Sequence, residues 1–246
     1  MEKVYFGYRQ VSPADKKRLV SAQFDPIART YDLADALLSL GLHFRWKRAA
    51  LRLLGLKKGD TVLDLCGGTA DLAIKASRLI GPTGRAVVLD FNRPMMKIGR
   101  DKARRAKLVD RIAFVQGDAE MTGFPDAAFD AVSVGFGIRN LANLDQGLRE
   151  TYRLLKNGGR LMILEFSMPR RTWQRALYDF YSFKIMPLGG RLICGTAGPF
   201  RYLAESIRVF AAPEEVAARL HNAGFRDVRI RPLSLGIAVL YSGRKP

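Results

Sequence analysis

Short apolar runs ending in an acid alternate with stretches of helical spacing along most of this chain. Thr61-Val62-Leu63-Asp64-Leu65 has the short, β-branched character of a buried parallel strand. Cys66-Gly67-Gly68 then lets the backbone turn tightly, and Thr69 and Asp71 open a helix. A second run, Arg85-Ala86-Val87-Val88-Leu89-Asp90, again ends in an acid. Further strands are predicted over residues 112–118, 129–134, 160–166, 226–231 and 237–242. Helices are predicted from Pro94 toward Ala106, over 144–155 with a stop at Asn157-Gly158-Gly159, and over 213–223. Upstream, residues 31–56 read as two helices broken at Gly41, and residues 1–30 are polar, expected to be flexible as far as Phe24-Asp25. This alternation predicts an α/β fold: one doubly wound domain over 1–246 with a seven-stranded, mostly parallel sheet. A flexible start (1–23), a helical lid (24–58) and a helical insertion after the fifth strand (168–212) complete it.

Strand, glycine turn, helix, strand and acid together form a nucleoside-binding half of such a sheet, with Asp90 placed for ribose hydroxyls. Asp64, Asp90 and Asp118 all fall at strand ends and converge on one crevice. Three acids repel a pyrophosphate but suit a neutral or positive cofactor such as S-adenosylmethionine, which argues against a nicotinamide dinucleotide. Asp118 also reads as a turn residue.

Composition narrows the class. With 246 residues, 48% hydrophobic and 26% charged, the chain is globular and can bury a real core. No apolar run reaches bilayer length, and the start lacks a signal-peptide core. Cys66 and Cys194 lack metal-ligand spacing, and with only His43 and His221 beside them no metal site is expected. A cytoplasmic protein follows. The net charge of +18 implies an anionic partner: nucleic acid, an acidic membrane surface or an acidic protein. Its densest patch, residues 93–111, has helical spacing and reads first as a solvated helix face.

Several longer segments carry a resemblance. They are Phe24-Asp25 through Tyr31-Asp32, SLGLHFRWK (39–47), VLDLCGGTADLA, QGDAE (116–120), GFGIRN (135–140), LKNGGRLMILEFS (155–167) and RYLAESI (201–207). On these the chain resembles the class I S-adenosylmethionine-dependent methyltransferases, and more closely the C-methyltransferases of ubiquinone and menaquinone biosynthesis. The resemblance implies S-adenosylmethionine held by Gly67, Gly68, Thr69, Asp90, Asp118, Ala119 and Gly135, with Tyr31 on a closing lid. It implies that Arg139 and Asn140 face the acceptor ring as catalytic residues. Ala70 stands where such loops usually carry glycine, and Gly135 where serine is frequent.

The implied reaction is C-methylation of a polyprenyl hydroquinone, demethylmenaquinol or a methoxy-polyprenyl-benzoquinol. Arg139 can stabilise the developing phenolate or polarise a water that takes the proton. His43 is expected to pack or cap a helix, and Cys66 to be unreactive. In the insertion, Trp173, Leu177, Tyr178, Phe180, Tyr181, Phe183, Ile185 and Met186 are interleaved with Arg170, Arg171, Arg175 and Lys184. This pattern fits an interfacial helix on an anionic membrane, the wall of a prenyl tunnel, or a helix packed on the sheet edge. The expected partners are the quinol and the inner face of the cytoplasmic membrane, with a homodimer or quinone-synthesis assembly open. No nucleic acid is expected, because no RNA module accompanies the charge. The alternatives are the same fold acting on another lipophilic acceptor, and a non-catalytic cofactor-binding scaffold.

Overall fold

The structure, a computed structural model, describes residues 3–246. Seven strands form one sheet: β3 (Thr61–Leu65), β4 (Arg85–Asp90), β5 (Ile112–Gln116), β6 (Phe129–Gly135), β7 (Leu155–Phe166), β8 (Arg226–Leu233) and β9 (Ala238–Arg244). Their spatial order is β5-β4-β3-β6-β7-β9-β8, so the chain winds outward in both directions from β3. β9 alone runs against its neighbours, pairing antiparallel with both β7 and β8. Because β3 and β6 flank the point where the winding reverses, the loops after β3, β4 and β6 open into one crevice.

Helices cover both faces. α3 (Leu42–Leu54), α4 (Asp71–Leu79) and α5 (Arg93–Arg105) pack on one, burying Ala50, Leu54, Ala73 and Ala103 against Val62, Val88 and Leu164. α6 (Leu144–Leu154) and α10 (Pro213–Asn222) pack on the other through Leu148, Leu154, Val216 and Leu220. The inner strands β3, β4, β6 and β9 and the second half of β7 are largely buried, which is why they read as apolar runs, whereas the edge strands β5 and β8 are largely half-buried or exposed.

Three local readings change. The N-terminal stretch, expected to be flexible, carries a hairpin of β1 (Val4–Phe6) and β2 (Arg9–Val11) followed by helix α1 (Pro13–Phe24). Residues 1 and 2 lie outside the described residues. The Ser12 hydroxyl caps α1 by accepting from Asp15 N at 3.1 Å, with Pro13 opening the helix. Asn157-Gly158-Gly159 does not stop α6. Leu155 is already extended and paired with Phe129, and the glycines make an irregularity inside β7 instead. The third strand ends at Gln116, so Asp118 lies two residues past it.

Gly41, at φ +73°, does separate α2 (Tyr31–Leu38) from α3. The insertion forms α7 (Thr172–Phe180), a π-helical turn at Tyr181–Ile185, α8 (Met186–Cys194) and α9 (Gly198–Val209). Among the described residues no helix is long and apolar enough to cross a membrane.

Candidate functional site

The crevice above the strand ends contains two adjoining cavities that share Phe24 and Tyr31 as lining residues. The first, about 180 Å³, is polar and lies over the glycine loop. Gly67 cannot carry a side chain, since a Cβ there would meet Asp64 O at 2.9 Å. Asp64 is buried and spent on structure: its carboxylate accepts from Ser133 Oγ and from Ala73 N in the first turn of α4, both at 2.9 Å. Burial pushes its pKa up to about 7. Ala70 is left-handed (φ +63°), the conformation a glycine adopts without cost, and Gly99 on α5 leaves space for its Cβ.

Asp90 turns one oxygen to Gly68 N and the other to Asn92 N, both at 2.8 Å. Burial raises its pKa to about 6, although those backbone donors favour the ion. A carboxylate has about four acceptor sites, so these two bonds leave capacity for hydroxyls of a ligand. Asp118 is held from α1 by Lys17 Nζ at 2.6 Å, and the same ammonium lies 2.9 Å from Glu120. Ala119 is buried beside them. Gly135 ends β6, where a Cβ would meet Leu72 Cδ1 at 2.8 Å.

Thr69 faces the lid: its hydroxyl donates to Asp32 on α2 at 2.7 Å. Lys102 binds Asp32 at 2.6 Å and pairs with Asp71, while Lys47 bridges Asp35 (3.1 Å) and Asp71 (2.8 Å). Lys102 thus leaves the solvated face expected for its helix and ties α5 to the lid. No sequence pattern marks Asp32, Asp35, Lys47, Lys102, Lys17 or Glu165 for a role at the site. Charged residues at helical spacing look alike whether they face water or a partner, and only the fold pairs them.

The second cavity, about 470 Å³, is walled by α1, α2, α7, α8 and α9. Its lining is apolar and aromatic, including Trp46, Phe166, Trp173, Tyr178 and Phe200. Arg139 lies on its wall, in the turn Ile138–Asn140 after β6. Arg139 is buried and pairs with Glu165 at 2.8 Å; Nη1 also donates to Phe136 O at 2.5 Å, and Nε to Ser206 Oγ at 3.3 Å. Its Nη2 makes no hydrogen bond among the described residues. Burial is the largest influence and works against its charge, but Glu165, Tyr202 and Tyr31 together raise the pKa. Asn140 lines the polar cavity and accepts from Tyr202 Oη at 2.9 Å, which leaves its amide N–H groups as donors. The predicted site residues therefore divide: Arg139 walls the apolar cavity, Tyr31 borders both, and the rest surround the polar one.

The insertion splits the aromatic run. Tyr178 and Met186 are buried, whereas Trp173, Leu177, Phe180 and Ile185 are exposed at the cavity mouth. Burial pushes the Cys66 thiol well up, so it does not ionise at neutral pH.

A family model described as the ubiE/COQ5 methyltransferase family matches residues 11–245. A Pseudomonas putida (strain W619) protein named ubiquinone/menaquinone biosynthesis C-methyltransferase UbiE is 45% identical over 242 residues, covering 98% of this chain and 94% of its own. A protein of the same name from Haemophilus ducreyi is 43% identical over 244 residues, covering 99% and 94%. Among solved structures, a SAM-dependent methyltransferase from Aquifex aeolicus matches with a TM-score of 0.58, over 96% of this chain and 100% of its own. At 17% identity that likeness shows the fold alone, the class I methyltransferase fold.

Proposed function

The chain belongs to the ubiE/COQ5 methyltransferase family, and from that premise we propose how its two cavities divide the work. The protein is an S-adenosylmethionine-dependent C-methyltransferase of quinone biosynthesis, and its acceptor is a polyprenyl hydroquinone. The observation that carries the reading is the abutment of a polar cleft on an apolar cavity through Phe24 and Tyr31. Bound S-adenosylmethionine supplies an electrophilic methyl group on its sulfonium. The donor set suits it: Asp90 offers acceptor capacity for ribose hydroxyls, Gly67 and Gly68 leave the backbone uncovered, and Asp118 and Ala119 lie where the adenine is expected. Thr69 and Gly135 border the methionine end.

On the acceptor side, Nη2 of Arg139 donates to the oxygen that gains negative charge as the ring carbon becomes nucleophilic. Glu165 keeps that guanidinium fixed and charged. Asn140, oriented by Tyr202, donates to the same oxygen or to a neighbouring water. Tyr31 closes the lid, and the apolar walls exclude bulk water while holding the ring against the methyl group.

The prenyl tail leaves by the mouth, where Trp173, Leu177, Phe180 and Ile185 are exposed on an insertion that also exposes Leu188, Leu192, Arg171, Arg175, Lys184 and Arg191. Exposed apolar side chains ringed by cations support peripheral contact with an anionic bilayer.

The test is incubation with methyl-labelled S-adenosylmethionine and a reduced short-chain demethylmenaquinol or methoxy-polyprenyl-benzoquinol, with products identified by mass. Ring-carbon methylation of either quinol is expected, and the relative rates identify the preferred ring. No transfer to either, with cofactor binding intact, overturns the reading.

A further inference from the structure

Among the described residues, two side chains lining the apolar cavity carry charge: Arg139 and Asp35. Arg139 can stabilise an anion but, paired with Glu165, cannot take a proton from the acceptor. The hydroxyl proton therefore needs another destination.

Asp35 lies on α2 one helical turn beyond Tyr31, so both side chains share the cavity face, and Tyr31 is where the two cavities meet. Lys47 Nζ donates to Asp35 Oδ2 at 3.1 Å, and His43 Nε2 lies 3.8 Å from the same oxygen. Asp35 Oδ1 makes no hydrogen bond among the described residues. His43 is buried, and its Nδ1 is 2.7 Å from Ser39 Oγ, itself a lining group. Ser39, His43 and Lys47 thus recur every fourth residue after Asp35, across the break at Gly41: Ser39 lines the apolar cavity, Lys47 the polar cleft, and His43 is buried beside Asp35. Burial lowers the pKa of His43, with Asp35 opposing and Lys47, Lys75 and Asp71 as the other charges in reach, so its ring stays neutral near pH 7.

We propose that Asp35 is the general base of the reaction, taking the acceptor's hydroxyl proton on Oδ1, and that His43, held by Ser39, positions its carboxylate. The proposal rests on the reading of the cavity as the quinol site. The O–H bond breaks with its electron pair left on oxygen and its proton on Asp35. That pair feeds the ring, whose carbon bonds to the methyl carbon while the old methyl–sulfur pair stays on sulfur. Loss of the ring proton to water restores aromaticity, and Asp35 returns its proton to the oxygen. One proton is released overall.

The test compares wild type, Asp35→Asn and His43→Gln in the quinol assay, with folding and cofactor affinity measured in parallel. Asp35→Asn is expected to lose about 10²–10⁴-fold in kcat, with cofactor affinity kept and the acidic limb of the kcat–pH profile at saturating cofactor abolished. A halogenated quinol, whose hydroxyl is more acidic, is expected to recover about tenfold or more of that loss. His43→Gln is expected to shift the limb and lower kcat while leaving KM unchanged. A rate within about threefold of wild type, or an equal loss for both acceptors with the limb retained, overturns the proposal. Should Asp35→Asn fail to fold with Lys47 left short of a partner, the double variant Asp35→Asn with Lys47→Met, which removes the stranded ammonium together with the carboxylate, decides. Full rates with both acceptors overturn the proposal, and a deficit that shrinks with the acidic quinol upholds it. Failure of wild type itself on both quinols overturns the functional reading as well.

Discussion

The two cavities are built on opposite physics. The polar cleft is lined by Asp64, Asp90, Asp118, Glu120, Lys17 and Lys47, each fixed by hydrogen bonds at a strand end, a loop or an adjoining helix. The apolar cavity has two charged groups in a wall of aromatic and aliphatic side chains. Directional bonds on rigid strand ends orient a small charged cofactor; a greasy wall retains a lipid without fixing every atom of it. The difference teaches where precision is needed: at the boundary, where Phe24 and Tyr31 separate donor from acceptor.

The largest effect should come from the ion pair on the apolar side. Arg139→Met strands Glu165 in the interior, so a loss of about 3–5 kcal/mol is expected by urea unfolding, together with loss of methyl transfer. Adding Glu165→Gln, which removes the stranded charge but keeps an acceptor for only one of the Arg139 and Phe166 backbone N–H groups, is expected to restore part of the stability and none of the activity. Recovery of activity in the double variant would show that the pair only holds the fold.

The polar side should respond to protons. With the Asp90 pKa at about 6, protonation below that value removes acceptors that ribose hydroxyls need. Folded Asp90 binds its proton more tightly than the unfolded chain does. Its contribution to stability is therefore most favourable at low pH and declines as pH rises toward 6. Cofactor binding has the opposite sign. Calorimetry is expected to show affinity about tenfold weaker at pH 5 than at pH 7.5, and Asp90→Asn weaker still and flat across that range. An unchanged pH slope in the variant would remove Asp90 from the cofactor site.

The smallest effect is expected at the mouth. Leu177→Asp should raise KM for a long-tailed quinol by roughly tenfold, the worth of one exposed-to-buried side chain, and should weaken pelleting with anionic vesicles. Cofactor affinity and KM for a tail-less quinol should not move. If both acceptors suffer equally, the mouth does not carry the tail.

The same division governs how much the sequence revealed. The polar cleft is built from the ends of consecutive strands, and an apolar run, two glycines and a spaced acid are local signals. Asp90 and the Gly67-Gly68 turn were legible for that reason. The apolar cavity is assembled from α1, α2, the turn after β6, the insertion and the loop before β9, segments as far apart as Gln23 and Ile237. Its aromatic residues could be counted in the sequence, but which of them faced inward depended on the π-helical turn at Tyr181–Ile185, which resets the helical frame between α7 and α8. Arg139 was reached through GFGIRN, whereas Glu165, 26 residues on, had no pattern to link it to Arg139. Helix α1 left a readable signature in Ser12-Pro13 with Asp15, yet its polar surroundings hid it, since Lys16 and Lys17 reach inward to loop carbonyls and acids.

That helix is the partition wall of a two-room house. Lys17 and Val20 face one room, Gln23 faces the other, and Phe24 stands in the doorway. Lys16 latches the wall to the carbonyls of Arg139 (3.3 Å) and Leu141 (2.6 Å), the stretch that carries Asn140. One latch therefore serves both rooms: Lys16 fixes the stretch that presents Arg139 on one side of the wall and Asn140 on the other.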